Sequence, residues 1–582
     1  MAWLAKCEPG NSTITVLYGN RIERRDTWFC EAVWAGEFEG GDFDRTDIVA
    51  GSGVRIRDCK VVFVSSGATV DRLNFIETRE AIWVSNSLAC VMAVTGAEVD
   101  ATYPGYFQFF YSVVRGLKRY QRTLDTSAGP AHLIYFDNLE WDGGRMETVP
   151  KPRVEPHWQG FSDYHAFLRN TMGLVATNLR ADGRLHSLRM LGTLSSGYDS
   201  TTVSVLAREA GCEEVISFDK AKGGRDDSGS AIAKAIGLRI NIVPSEGWRS
   251  QKEPESLFIA ADGFAEEVHF KAAEKYLDGT VLFTGYHGDR IWGKHPPDLS
   301  DQLSRGDPSG LALTEFRLHA GFIHCPVPFW GARDIGWVKR ISNSVEMTPW
   351  DVPGGYSRPI CRRIAEEAGI PRSVFGISKA AASRWPCTAR EFLTSHSMED
   401  YVQWLRERNL FRIMSMRLQP PICLAIDRWL LFSVELAERW VGRYLKLVGK
   451  TPGLNNRYLR RLATLNYCNT PQGPWILFLR RQLFVWAIDR TKEHYRPGLR
   501  RQEETLNKPT FVIPANTQRA QEPEPHRGTP TFYGLKPVKD RMSSEIKKLD
   551  PGFHPQGAGR GCKPMNRRQP RTAGATTCST HP

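Results

Sequence analysis

From Leu185 to Val243 the chain alternates apolar runs with helix-compatible runs, and this alternation limits the possible folds more than any other feature. Leu185 to Leu194 reads as a buried strand, Thr201 to Ala210 as a helix, Glu214 to Phe218 as a strand, Ser228 to Ile236 as a helix and Arg239 to Val243 as a strand. A β-α-β-α-β succession requires crossover helices, so it predicts a parallel sheet with helices on its faces. Such sheets bind ligands beyond the C-terminal ends of their strands. The segment Leu194 to Ser200, reading LSSGYDS, falls at one of those ends.

The residue types in that loop suit a phosphate chain accompanied by a divalent cation. Ser195, Ser196 and Ser200 offer hydroxyl donors, Gly197 a permissive backbone and Asp199 a hard oxygen ligand for magnesium. The start of the following helix adds free N–H groups that favour an anion. The same serines and aspartate would also serve as plain helix caps. A second glycine-containing loop, Thr284 to Gly293, follows a predicted helix, Ala265 to Tyr276, and a predicted strand, Thr280 to Phe283.

Residues 1–150 carry short alternating runs, such as Ser12 to Tyr18 and Lys60 to Val64, which predict a mostly β region. Glu80 to Val94 reads as a strand entering a short helix. Between Trp158 and Leu179 the pattern of Phe161, Tyr164, Phe167, Leu168, Met172, Leu174 and Val175 is helical. Beyond residue 300 the pattern is helical, with amphipathic stripes at Pro421 to Val448 and Pro474 to Glu493 that predict core packing. From Gln502 onward Pro, Gly, Thr and charge dominate, which predicts a disordered tail.

Charge and cysteine usage exclude several classes. Residues 501–582 hold 14 Lys and Arg against 7 Asp and Glu, and so carry seven of the thirteen net positive charges of the chain. The body is only mildly basic, without a basic run interleaved with aromatics, so nucleic-acid binding is not expected. Twelve cysteines without C-x-x-C pairs, and an N-terminus without a charged leader, fit reduced thiols in a cytoplasmic protein. The longest uncharged stretches, Ala81 to Ala97 and Leu462 to Leu479, are too short and too polar to cross a bilayer, so no membrane partner is expected.

LSSGYDS resembles the pyrophosphate-binding loop, SGGxDS, of the N-type ATP pyrophosphatases in their asparagine-synthetase-like branch. Ser196 stands where that family usually has its first glycine. Were a positive φ required there, a serine would cost about 1 kcal/mol or more and weaken ATP binding. The second loop, Thr284-Gly285-Tyr286-His287-Gly288-Asp289-Arg290-Ile291-Trp292-Gly293, is similar to the family's GEGxDELFGG segment, whose aspartate completes the magnesium and pyrophosphate site. Asp289 falls on that aspartate, while Tyr286 and Arg290 replace glutamates and Lys294 replaces the final glycine. The TGY-x-x-D arrangement resembles the β-lactam and carbapenam synthetases, in which the tyrosine pairs with a later glutamate to deprotonate an attacking amine. Glu315 is the candidate partner here, and a tyrosine with an ordinary pKa near 10 needs one. Ser357 to Pro371, running into Phe375 to Lys379, looks like the family's helix and lysine-bearing loop, with Lys379 near the lysine that stabilises the α-phosphate. Asp226 and Asp227, in a stretch that resembles the family's acidic step, are read mainly as helix N-terminal charges.

The resemblance implies an α/β chain. A parallel-sheet, adenine-nucleotide α-hydrolase-like synthetase domain at 158–400 would follow a β-rich, degenerate glutaminase-like domain at 1–150 and precede a helical extension at 401–500 and a basic tail at 501–582. It implies ATP and magnesium, with Ser195, Ser196, Gly197, Asp199, Ser200 and Gly285 at the nucleotide and Asp199 and Asp289 at the metal. Tyr286, Glu315 and Lys379 would carry the chemistry of joining a small-molecule carboxylate to an amine or ammonia through an acyl-adenylate. The glutaminase reaction is expected to be absent, since Ala2 follows Met1 and Cys7 lacks a free α-amine. The departures at Ser196, Tyr286 and Arg290 also admit an inactive nucleotide-binding or protein-interaction module.

Overall fold

The computed structural model describes residues 1–376 apart from 12, 102, 104–105, 154, 221–223, 225, 253, 296–298 and 354–355, together with 393–408, 482–496 and the backbone of 512–514. The expected extension helix at 421–448 and nearly all of the tail lie outside the described residues. The exception corrects an expectation: Val512–Pro514, inside the segment expected to be disordered, pairs antiparallel with Thr13, Ile14 and Thr15 as the edge strand of a sheet.

The N-terminal region is β-rich, as its alternation predicts. One antiparallel sheet runs in the order Val512–Pro514, Thr13–Tyr18, Trp3–Cys7, Ile82–Ser85, Leu73–Glu77, Gly129–Ile134 and Thr123–Thr126. A second runs Met146–Val149, Asn138–Trp141, Lys60–Val64, Val49–Arg57, Trp28–Trp34 and Glu23–Arg25. The two share a core in which Trp3 meets Phe29 edge-on at 5.5 Å and stacks near Phe63 at 6.2 Å. Alternation sends Leu4 to the opposite face, where it joins a different core with the helix Leu88–Thr95.

The third sheet is parallel and reads Arg239–Val243, Glu214–Phe218, Arg189–Thr193, Thr280–Thr284 and Ile323–Pro326 across its width. The chain builds outward from Arg189–Thr193 on one side, then returns to build outward on the other. The strands Arg189–Thr193 and Thr280–Thr284 are therefore neighbours that flank a topological switch point, where connections leave in opposite directions and open a crevice. Each is followed by one of the two glycine-containing loops.

The strands Glu214–Phe218 and Arg239–Val243 match the sequence reading: Val215, Ile216 and Ser217 are buried inside the sheet, whereas Arg239–Val243 forms its edge with Val243 alone buried. The helix expected at 265–276 is instead a 3₁₀ segment, Val268–Ala273, leading into a single turn, Glu274–Leu277. Glu267, just before it, is fully buried and accepts from the backbone N–H of Gly310 at 2.7 Å, which ties this stretch to a distant loop rather than to a regular helix. The C-terminal part of the described chain contributes helices Ser395–Glu407 and 482–496, joined by Arg490 to Asp400 and by Trp486 Nε1 to Asp400 at 2.7 Å. Among the described residues no helix is long and apolar enough to cross a membrane.

Candidate functional site

The loop after Arg189–Thr193 is closed by its own serines. Ser195 N–H donates to Ser200 Oγ at 3.1 Å, the two hydroxyls lie 2.7 Å apart, and Gly197 N–H donates to Ser195 Oγ at 3.2 Å. Gly197 takes φ −77° as the N-cap of helix Tyr198–Glu209, so the expected need for an unusual backbone is absent there. Ser196 has no positive φ either, which corrects the expected cost of replacing a glycine. The serine is in use: its N–H donates to Asp227 Oδ1 at 3.0 Å, and its hydroxyl also donates to that oxygen. Asp227, read from sequence as a helix-start charge, is thus the buried clamp of the first loop, while Asp226 Oδ1 caps Ser228 N–H at 2.9 Å.

The second loop presses directly on the first. A Cβ at Gly285 would fall 2.6 Å from the Asp199 carbonyl carbon and 2.7 Å from Ser200 N. At Gly288 it would fall 2.5 Å from Asp199 Cγ. Two glycines are therefore required by close approach, and the contact they permit holds Asp199 against the second loop. Between them His287 adopts φ +76°, a left-handed conformation uncommon for a residue with a side chain. Its ring stacks on Phe329 at 4.6 Å, and burial with the nearby Arg305, Arg290 and Lys339 holds the imidazole well below its usual pKa, hence neutral.

A cavity of about 220 Å³ lies over both loops. Its lining includes the polar Ser195, Gly197, Asp199, Ser200, Asp227, Asp289 and Arg358, and also Ile216, Phe218 and Phe270 with the His269 ring packed against the two phenylalanines. Gly285, Tyr286, Asp307 and Ser309 close the remaining side. Of the residues expected at the site, Ser195, Gly197, Asp199, Ser200, Gly285, Tyr286 and Asp289 are brought together here, and Ser196 supports the loop from behind.

Arg358 is the cation that the sequence reading missed. It precedes Pro359 at the start of helix Pro359–Glu367, is almost fully buried and forms an ion pair with Asp199. Burial opposes its charge, but Asp199 outweighs burial and holds the guanidinium above its usual range. Nothing in the sequence marks this arginine among its neighbours Arg362 and Arg363. Lys379, the lysine expected at the α-phosphate, lies outside the described residues.

Tyr286 and Glu315 are not partners. Glu315 is completely buried, its oxygens 2.9 and 2.8 Å from the Ser87 hydroxyl, and it accepts from the Tyr495 hydroxyl at 3.1 Å. Its companions belong to the N-cap of helix Leu88–Thr95 and to helix 482–496, so the expected base pair is not formed. The carboxylates acting on Tyr286 are Glu267, Glu266 and Asp307, and with burial as the larger cause they push its phenol well above the usual tyrosine range. Tyr286 is consequently a neutral hydrogen-bonding group.

Two hard carboxylates, Asp199 and Asp289, line the cavity, which is the donor set that magnesium uses when substrate phosphates and water supply its other ligands. Among the described residues no group of three or more His, Cys, Asp or Glu side chains forms a metal-binding cluster. No protein-family model and no curated protein sequence matches the chain.

Proposed function

We propose that the chain joins a small-molecule carboxylate to an amine by way of an acyl-adenylate, using ATP and magnesium. The observation that carries this reading is the contact of Gly285 and Gly288 with Asp199, which puts two phosphate-compatible loops and two carboxylates around one cavity at a switch point. The lining residues Ile216 and Phe218 suit the face of a base, and the serine loop with the helix start suits a phosphate chain.

In the first step a carboxylate oxygen attacks the α-phosphorus, the bond to the β-phosphate bridge breaks, and pyrophosphate leaves. Asp199 and Asp289 would hold magnesium, which supplies charge neutralisation at the phosphates. Ser195 and Ser200 would exchange their mutual hydrogen bond for the leaving group. Arg358, already in the cavity wall, would then divide its charge between Asp199 and the phosphates. In the second step the amine nitrogen attacks the acyl carbon and AMP departs. Tyr286 orients the amine through its hydroxyl, and Asp307, the carboxylate beside it, takes the proton.

A pyrophosphate-release assay with ATP, magnesium and a panel of carboxylates tests this. Release is expected from the unaltered protein and not from Asp199→Ala, and equal release from both refutes the mechanism. The ion pair of Asp199 with Arg358 supports a second reading, a module that binds nucleotide without turnover. In that case ATP raises the melting temperature while no carboxylate releases pyrophosphate.

A further inference from the structure

A second cavity, of about 460 Å³, lies at the opposite end of the parallel sheet. Two of its lining residues fix that position: Asp278 precedes strand Thr280–Thr284, and Gly321 precedes strand Ile323–Pro326, whereas the first site follows the C-terminal ends of the sheet. It opens where strand Trp3–Cys7, helix Leu313–Ala320 and helix 482–496 meet. Its volume falls in the range of small-molecule sites, roughly 300 to 1,000 Å³.

Its wall brings Arg21, His319 and His494 together beside Asp278, Tyr18, Asn20 and Tyr495. His319, at the end of helix Leu313–Ala320, stands with its ring 5.3 Å from both His494 and Tyr495. The His319 side chain is accessible even though protein surrounds it, as expected of a ring that faces an internal space. Burial, then the His494 ring, the Met1 amine and Lys271, press its pKa down to about 3, and none of these neighbours is a carboxylate. Arg21 also lines the space and pairs with Asp278, whose side chain is 59% exposed. A pair so open to water contributes little and exchanges partners at small cost.

We propose that this cavity binds a small oxyanion, a carboxylate or a phosphate, through His319, His494 and Arg21. Each imidazole can turn an N–H toward the ligand. Arg21 can swing from Asp278 to make a two-pronged contact, the geometry that guanidinium groups use for carboxylate and phosphate. The ligand would touch the N-terminal sheet, the helix that carries Glu315, and helix 482–496 together. Its position, at the opposite end of the sheet, separates the ligand from the first cavity. This inference is independent of the adenylation chemistry.

The test uses the full-length protein with isotope-labelled histidine, titrated with inorganic phosphate and separately with citrate, sodium chloride holding ionic strength constant. His319→Gln and His494→Gln assign the imidazole signals. Saturable shifts of both rings are expected, at a Kd below about 1 mM, with at least about tenfold weaker binding in the double variant. Arg21→Met, an exposed substitution, should weaken binding similarly, and Asp199→Ala should leave it unchanged. A response to phosphate alone or to citrate alone identifies the class of anion. The proposal is overturned if neither anion gives a saturable shift, or if chloride reproduces it. It is equally overturned if Asp199→Ala abolishes binding while the double variant retains it, since the anion then sits at the first site.

Discussion

The junction between the two loops gives the sharpest test, because Gly285 and Gly288 meet different parts of the same residue. At Gly285 an added Cβ collides with backbone, 2.6 Å from the Asp199 carbonyl carbon and 2.7 Å from Ser200 N, so one whole loop must move. At Gly288 it collides with the Asp199 side chain, 2.5 Å from Cγ and 2.6 Å from Oδ1, which can rotate only by leaving Arg358. Neither glycine has a positive φ, so alanine acts through sterics alone. Overpacking costs about 1–3 kcal/mol, and immovable backbone on both sides places Gly285→Ala in the upper half, about 2–3 kcal/mol. Gly288→Ala is expected to cost about 1 kcal/mol in stability, since a side chain yields more cheaply. It displaces the carboxylate, however, and should weaken binding of ATP with magnesium about tenfold, or about 1.4 kcal/mol. Urea unfolding followed by tryptophan fluorescence measures the first quantity, and isothermal titration calorimetry the second. If Gly285→Ala unfolds within about 0.5 kcal/mol of the unaltered protein, the range of an ordinary surface change, the loops do not meet as described. If Gly288→Ala binds ATP normally, Asp199 is not part of a nucleotide site.

Arg317 is almost fully buried between Glu31, at 2.7 Å, and Asp71, at 2.9 Å, so Arg317→Met strands two buried carboxylates and should cost about 3–5 kcal/mol by urea unfolding. His324 is buried with its pKa lowered to about 3 by burial and by Arg317 and Arg305, and His287 is lowered in the same direction. Both stay neutral in the folded chain but titrate near 6.5 when unfolded. The contribution of His324 is therefore complete above pH 6.5 and lost as pH falls toward 3, at about 1.4 kcal/mol per pH unit, and that of His287 is lost in the same direction. Stability profiles of His324→Gln should be flatter over that interval, and an unchanged slope would contradict the assignment. At His287, glycine removes a left-handed strain of about 1 kcal/mol and loses a ring contact of about the same size, so His287→Gly should be nearly neutral in thermal unfolding.

What was legible in the sequence was local. The parallel strands carry short apolar runs such as Val215-Ile216 and Val281-Leu282-Phe283, and glycine with serine after a strand is visible without knowing what lies opposite. That the two loops meet was expected only from the resemblance, and they do so because Arg189–Thr193 and Thr280–Thr284 are adjacent parallel strands. What depended on distant partners was not legible. Glu315 sits in a helical pattern that does not reveal its facing residue, and Ser87 is 228 positions away. Asp227 looks like any helix-start acid until the turn delivers it to Ser196, and Arg358 resembles its neighbouring arginines until Asp199 is placed. Ser196 was misjudged in a different way: its φ is ordinary, and its hydroxyl serves the loop.

Glu315 also shows how the N-terminal sheets can matter to the cavity without touching a ligand. The segment from Arg305 to Ala320 supplies Asp307 and Ser309 to the cavity wall, and the rest of it is gripped from several directions. Arg305 donates to the Thr69 carbonyl at 3.1 Å, and Thr314 Oγ1 to the Val70 carbonyl at 2.9 Å. Glu315 holds Ser87, Arg317 holds Glu31 and Asp71, and Glu267 receives the N–H groups of Gly310 and Ala312. Most of these partners come from the β-rich region, and the charged ones are buried, where losing a partner is expensive. A substitution at Glu31 or Ser87 would therefore be felt at Asp307 through a rigid segment rather than through contact with substrate. That makes the β-rich region a brace for the Tyr286 side of the cavity.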